Sequence, residues 1–256
     1  MKIISWNIKW ENKCENKNSN RIEENEKRVK VANNIIEDFR PDILSLLEAG
    51  LSECPEIRGY HKVMLDRKHM FRTYRNGIVL YINNEYKYEI CKEVLKEFID
   101  NKMACFLPVK IQKGKESFNS FFVWTTTRNG KEANEPYGYN RFNEILTSGK
   151  FKKTLEFIDG NKNDVIIIGD FNLVSNHRDE NKQKKWLEIK SGFETIGLQW
   201  VENNISTYYK VINDHCFISD RLRKKLILEV GDNKIGNIIS DHNIINVQIQ
   251  NKILQP

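Results

Sequence analysis

The sequence predicts a mixed α/β protein, in which a sandwich of mixed β-sheets is flanked by helices. Three observations lead there. Unbroken β-branched runs such as VIII at 165–168 mark strands buried on both faces. A long segment at 21–39 repeats apolar residues at helical spacing directly after the first strand. Beyond it, strands and helices do not keep a strict βαβ rhythm, which disfavours a doubly wound parallel sheet. No linker rich in Pro, Gly or Ser divides the chain and no internal repeat is evident, so residues 1–256 are read as one domain.

Taken in order, KIISWNI at 2–8 predicts a central strand and the Asn- and Lys-rich residues 9–20 a loop. Ile22, Val29, Ala32, Ile36 and Phe39 line one face of a helix over 21–39, with Ser19 or Asn20 as its cap and Pro41 ending it. Strands are expected at 43–49 (ILSLLEA) and 78–82 (IVLYI). Residues 103–112 and 119–127 form a strand pair around the turn KGKES, and 128–139 an irregular loop. A helix over 141–157 has a soft spot at Ser148-Gly149. Then come the strand VIIIGDF, a polar loop at 174–184, a helix at 183–194, and strands at 215–219 (HCFIS) and 243–249 (NIINVQI).

With 39% apolar and 30% charged residues, and 13 Phe, 9 Tyr and 5 Trp, the chain has the apolar material for a core and is not disordered as a whole. A net charge of +6 tilts the expected partner toward one that carries phosphate, nucleic acid first. The five cysteines are scattered, odd in number and contain no CxxC pair, which argues against a disulfide scaffold or structural zinc and for a reducing compartment. No apolar run has the length of a membrane span and the chain opens directly on a strand, so a cytoplasmic location without membrane contact is expected.

Chemistry gathers where strands end. Asn7 closes SWN, Glu48 sits in SLLEA, Asp170 and Asn172 occupy GDFN, Asp214 opens DHCF, and Asp241-His242 stand before the last strand. Asp170 and Asn172 point the same way if the strand extends through them. Singly, each residue has a local explanation as a cap or turn. Together they place several acids beside buried β-runs, an expensive arrangement that a divalent cation would compensate. His61, His69, His177 and His215 receive no metal role, and His215 should face away from its neighbour Asp214.

Ser5-Trp6-Asn7, then Pro41-Asp42-Ile43 with Glu48, then GDFN, then Asp214 with Phe217 and Ser219, and a final Ser240-Asp241-His242 resemble the ordered motifs of the endonuclease/exonuclease/phosphatase superfamily. The resemblance runs from Met1 to about Ile249. It implies a four-layered α/β sandwich, two mixed β-sheets face to face with helices outside, and a site at one edge. It implies that Glu48 holds Mg²⁺, with Mn²⁺ as the alternative cofactor, that Asp241 and His242 complete the core, that Asp214 supports the histidine, and that Asp170 and Asn172 face the scissile phosphate.

Chemistry supports the same roles. A hard cation on oxygen ligands neutralises a phosphodiester and polarises it, which suits Glu48 with Asp241 or Asn7 beside it. Water needs a base: His242, with Asp214 fixing its tautomer, or alternatively Asp170. Asn172 and Asn7 are neutral donors for oxygens that gain charge. The chain departs from the superfamily pattern in FFVWTTT at 121–127, where many members carry a histidine and this chain offers Trp124 and Thr126. Thr126 can still bond a phosphate oxygen. Tyr208, Tyr209 and Trp200 are candidates for stacking on bases, and Arg75 ends a basic cluster that begins at Arg67. Further basic clusters lie at 150–153, 182–185 and 221–225. The expected function is a Mg²⁺-dependent phosphodiester hydrolase on nucleic acid, a DNA endonuclease or exonuclease. The alternatives are a phosphatase or phosphodiesterase on a small or lipid phosphate ester, and a catalytically weak scaffold.

Overall fold

A computed structural model describes residues 1–8, 19–50, 54–65, 76–101, 106–125, 137–175, 178–202, 212–224, 226–228 and 244–249. The first sheet contains β1 (Lys2–Asn7), β2 (Ile43–Gly50), β3 (Tyr60–Leu65), β4 (Asn76–Asn83), β11 (Leu226–Leu228) and β12 (Ile245–Ile249), in the order β11-β12-β1-β2-β4-β3. The second contains β5 (Lys87–Ile90), β6 (Phe106–Lys113), β7 (Glu116–Trp124), β8 (Val165–Asp170), β9 (Leu198–Val201) and β10 (Asp214–Ser219), in the order β5-β6-β7-β8-β10-β9. Each is mixed. β1 and β2 are parallel, joined through α1 (Ser19–Phe39), and β7 and β8 are parallel, joined through α3 (Tyr137–Thr147) and α4 (Lys152–Ile158). The other pairings are antiparallel. The remaining helices are α2 (Lys92–Asp100), α5 (Glu180–Thr195) and the short α6 (Asp220–Arg223).

Strand alternation divides the apolar residues into three cores. Ile3, Ile43 and Leu47 of the first sheet meet Phe122, Ile166, Ile168 and Cys216 of the second between the sheets. Ile4, Trp6, Leu44 and Leu46 face outward and pack with Ala32, Ile35 and Ile36 of α1. Phe121, Ile167 and Phe217 face the other way, toward Phe98, Phe142, Trp186 and Phe193 of α2, α3 and α5. This is the expected sandwich of two mixed sheets with helices outside. Among the described residues, no helix is long and apolar enough to cross a membrane.

Several boundaries differ from the sequence expectation. Helix α1 begins at Ser19, so Ser19 and Asn20 are its first residues and not its cap. The single helix expected over 141–157 is two helices, because the chain turns at Gly149, where φ is +70°. The start of α3 at Tyr137 takes in the end of the expected 128–139 loop. Likewise α5 starts at Glu180 inside the expected polar loop, because Asp179 accepts from the backbone N–H groups of Asn181 and Lys182 at 2.9 and 3.2 Å. β6 and β7 close on a two-residue turn at Gly114-Lys115, with Lys113 paired to Glu116. β3, β5, β9, β11, α2 and α6 were not anticipated; β3 and β5 lie at sheet edges, where exposed residues dilute the apolar signal.

Candidate active site

The two parallel pairs bring their carboxyl ends to polar residues, the position where open α/β sheets hold ligands. Asn7 is the last residue of β1 and Asp170 the last of β8. Asp214 opens β10 and stands opposite Asp170 in the antiparallel register. Asn7 shares the inner face with Ile3, and Asp170 and Asp214 share it with Ile168 and Cys216, so all three lie at one end of the space between the sheets. All three are buried.

Asp170 joins the two sheets. Its Oδ2 accepts from Nδ2 of Asn7 at 2.9 Å and from Nδ2 of Asn172 at 3.1 Å. Its Oδ1 accepts from the backbone N–H of Asn172 at 2.8 Å. A buried carboxylate needs such donors, because an unpaired one costs far more than a hydrogen bond returns. Asn172 also donates through Nδ2 to the carbonyl of Thr125, so both its amide hydrogens meet protein acceptors.

The expected same-side placement of Asp170 and Asn172 comes about differently from the period-2 reading. The strand stops at Asp170, and Asn172 takes φ +45°. A turn, closed by the carboxylate on the Asn172 backbone, brings the two side chains together. Gly169 has its own reason to be glycine. Its φ is +143°, and a Cβ there would lie 2.0 Å from the carbonyl oxygen of Val123, its register partner on β7. Beyond the turn, Phe171 N–H donates to Asn213 O at 3.0 Å and Ser175 N–H to Ile212 O at 3.2 Å, fastening the loop to the chain entering β10.

Glu48 follows Leu47, the register partner of Asn7. The pairing of β2 with β4 shifts between Leu46 and Ala49, and Glu48 has φ +54°. Such a bulge re-aims a side chain at the cost of local strain. Ala49 resumes the outward face with Leu46, while Glu48 leaves the alternation and is only half-buried. Its carboxylate and the carbonyl oxygen of Asn7, whose amide nitrogen is committed to Asp170, are hard oxygen donors that suit Mg²⁺ or Mn²⁺. Among the described residues, no group of three or more His, Cys, Asp or Glu side chains is arranged to hold a metal ion. Asp241, the other carboxylate expected there, lies outside the described residues, as do His242, Arg75, Thr126, Tyr208 and Tyr209.

Of the residues singled out from sequence, the structure thus brings together Asn7, Asp170 and Asn172, sets Asp214 beside Asp170, and puts Glu48 on the neighbouring strand. Sequence reasoning gave His215 no part. Its ring faces away from Asp214, stacked on Trp186 at 4.3 Å between centroids and edge-on to Phe171 at 5.4 Å. Nε2–H donates to the carbonyl of Leu173 at 2.6 Å. Burial lowers its pKa to about 4, against smaller opposing effects of the Leu173 bond and Asp214, so the ring is neutral. The available signal was an imidazole at the outward position of DHCFIS, where an apolar residue would serve packing.

A family model described as the Endonuclease/Exonuclease/phosphatase family matches residues 4–242. No curated protein sequence matches the chain. Among solved structures, the Xenopus laevis APE2 catalytic domain superposes with a TM-score of 0.65 at 16% identity, covering 98% of this chain and 92% of that one. The 3'-5' exonuclease NExo from Neisseria meningitidis gives 0.61 at 15% identity, covering 98% and 100%. A mannosyl-6-phosphatase from Bacteroides thetaiotaomicron gives 0.58 at 14%, covering 97% and 99%. At these identities the likeness is one of fold.

Proposed function

The chain belongs to the endonuclease/exonuclease/phosphatase family, and from that premise we propose that it is a Mg²⁺-dependent phosphodiesterase acting on nucleic acid, DNA foremost. Family membership supports the coarser activity, hydrolysis of phosphate esters. The observation that carries the finer reading is the buried Asp170 carboxylate, braced by Asn7 from one sheet and Asn172 from its own, at the carboxyl ends of both parallel pairs. The net charge of +6 favours a polyanionic substrate.

In this reading Glu48, Asp241 and the side-chain carbonyl of Asn7 would hold the cation. When bound, Mg²⁺ neutralises the phosphodiester and polarises it. Both Asp170 oxygens are occupied by amide donors, which suits it to orienting Asn7 and Asn172. Proton acceptance then falls to His242, with Asp214 holding its tautomer. The attacking water gives its proton to His242, its oxygen bonds to phosphorus, the bond to the ester oxygen breaks, and that oxygen takes a proton from solvent while His242 returns its own to solvent. Asn172 turns its amide from the Thr125 carbonyl to the phosphoryl oxygen as charge builds there.

The test is a panel of double-stranded, single-stranded and abasic DNA, RNA and a soluble phosphomonoester, each with Mg²⁺ and with chelator. Glu48→Gln should lower hydrolysis by orders of magnitude while substrate still binds. Hydrolysis by Glu48→Gln at the parent rate would remove Glu48 from the metal site. Affinity for nucleic acid should fall with salt, by about one unit of log–log slope per phosphate contacted. A salt-independent response with turnover of the monoester alone would make the protein a small-substrate phosphatase.

A further inference from the structure

We propose that His215 is a positioning residue, whose Nε2–H holds the Leu173 carbonyl and through it the turn that presents Asp170 and Asn172; the proposal rests on the phosphodiesterase reading above. Leu173 and His215 are both buried, and Nε2–H donates to that carbonyl at 2.6 Å. The ring sits among Trp186, Phe171 and, at 6.1 Å, Trp200. Phenylalanine or leucine would suit these surroundings without bringing a polar atom of its own. Imidazole brings instead a second nitrogen, Nδ1, which is buried and finds no hydrogen-bond partner among the described residues. Carrying that penalty makes sense where the other nitrogen is needed.

The need lies one residue from the site. Leu173 directly follows Asn172, whose φ of +45° lies in the left-handed region that few non-glycine residues adopt. The loop is otherwise fastened at Phe171 and Ser175 by backbone bonds and at Asn172 by its side chain. His215 supplies the fastening between them, from the strand that also carries Asp214. Without it a buried carbonyl loses its donor, and the cheapest relief is for the 171–175 loop to move out toward water, taking Asn172 with it. Small misplacements of such groups lower turnover far more than binding.

The test compares His215→Phe, which keeps an aromatic ring and removes the donor, with His215→Gln, whose Nε2 amide can reach the same carbonyl. Amide hydrogen exchange over 171–175 should quicken roughly tenfold or more in His215→Phe and return toward the parent in His215→Gln. With bis(4-nitrophenyl) phosphate and Mg²⁺, His215→Phe should lose about tenfold or more in kcat with KM little changed, and His215→Gln should recover much of it. Parent-like exchange and kcat in a folded His215→Phe would overturn the proposal. An inactive parent protein would sink the phosphodiesterase reading, while exchange would still decide whether His215 holds the loop. Should His215→Phe not fold, nitrogen NMR of the parent imidazole decides: protonated Nε2 and bare Nδ1 are expected, and the opposite tautomer overturns the proposal.

Discussion

Replacing Asp170 by asparagine keeps the shape of the site and removes one acceptor. In the parent, the carboxylate accepts from Asn172 N, Asn172 Nδ2 and Asn7 Nδ2 at 2.8, 3.1 and 2.9 Å. An amide offers one oxygen and one NH₂. With its oxygen at the Oδ1 position it serves the Asn172 backbone and turns NH₂ toward two side-chain NH₂ groups. With its oxygen at Oδ2 it serves those two and confronts the backbone N–H. Rotating the Asn7 amide relieves one clash of donors, but Asn172 Nδ2 still meets one. At least one charge-assisted bond is therefore lost in a buried place, about 2–3 kcal/mol. Urea unfolding measures it; with a slope of about 3 kcal/mol/M, the midpoint should drop by roughly 0.7–1 M. Acids at active sites are often frustrated, and neutralising them then raises stability. This one has its oxygens satisfied by amides, so the opposite sign is expected. An Asp170→Asn protein as stable as the parent, with the same slope, would refute the assignment of Asp170 as the brace between the sheets.

Gly169→Ala should cost about 3 kcal/mol or more in the same assay, because the new Cβ would fall 2.0 Å from the Val123 carbonyl oxygen at a φ of +143°, and either β8 or β7 must shift; a loss below 1 kcal/mol would show that the strands adjust freely. His215 makes stability pH-dependent: its folded pKa of about 4 lies below the unfolded value of about 6.5, so its neutral form is favoured by folding, the full contribution is present above pH 6.5, and about 3 kcal/mol is lost as pH falls from 6.5 to 4. Subtracting the urea-derived profile of His215→Gln from that of the parent isolates this contribution, and identical profiles would refute it.

The sequence was most legible where a strand is buried on both faces. VIII at 165–168 and ILSLLEA at 43–49 became the central strands β8 and β2, because continuous apolar runs have few other uses. Edge strands were not legible: β5, KYEI, is mostly exposed and carries charge at alternate positions, so only its pairing with β6 makes it a strand. The break between α3 and α4 was visible as Ser148-Gly149, but its consequence was not. The second helix starts against Glu97 of α2, whose carboxylate accepts from the backbone of Lys153 and Thr154 at 2.8 and 2.9 Å. A cap supplied from 56 residues away has no local signature. The site divides in the same manner. Residue types and strand-end positions were readable for Asn7, Asp170, Asn172 and Asp214. The bulge at Glu48 was not, since glutamate does not announce a left-handed backbone; asparagine adopts one more readily, but the strand-like run into GDFN hid the turn at Asn172.

These unreadable features share one location, and that bears on how the site is built. Regular strands would send Glu48 outward toward α1 with Leu44 and Leu46, away from Asn7. Continuing β8 as an extended strand would leave the Asn172 backbone N–H without the Asp170 acceptor it now has. The bulge and the turn each break regularity within two residues of the end of a buried strand, where few ladder bonds remain to be lost. Further back along β2 or β8 the same irregularity would disturb the core between the sheets and cost more. Rigid strands thus run up to the site, and the strain is confined to their last residues. Asp170 and its amide donors then tie β8, β1 and the turn into one unit, so the site inherits the stiffness of both sheets.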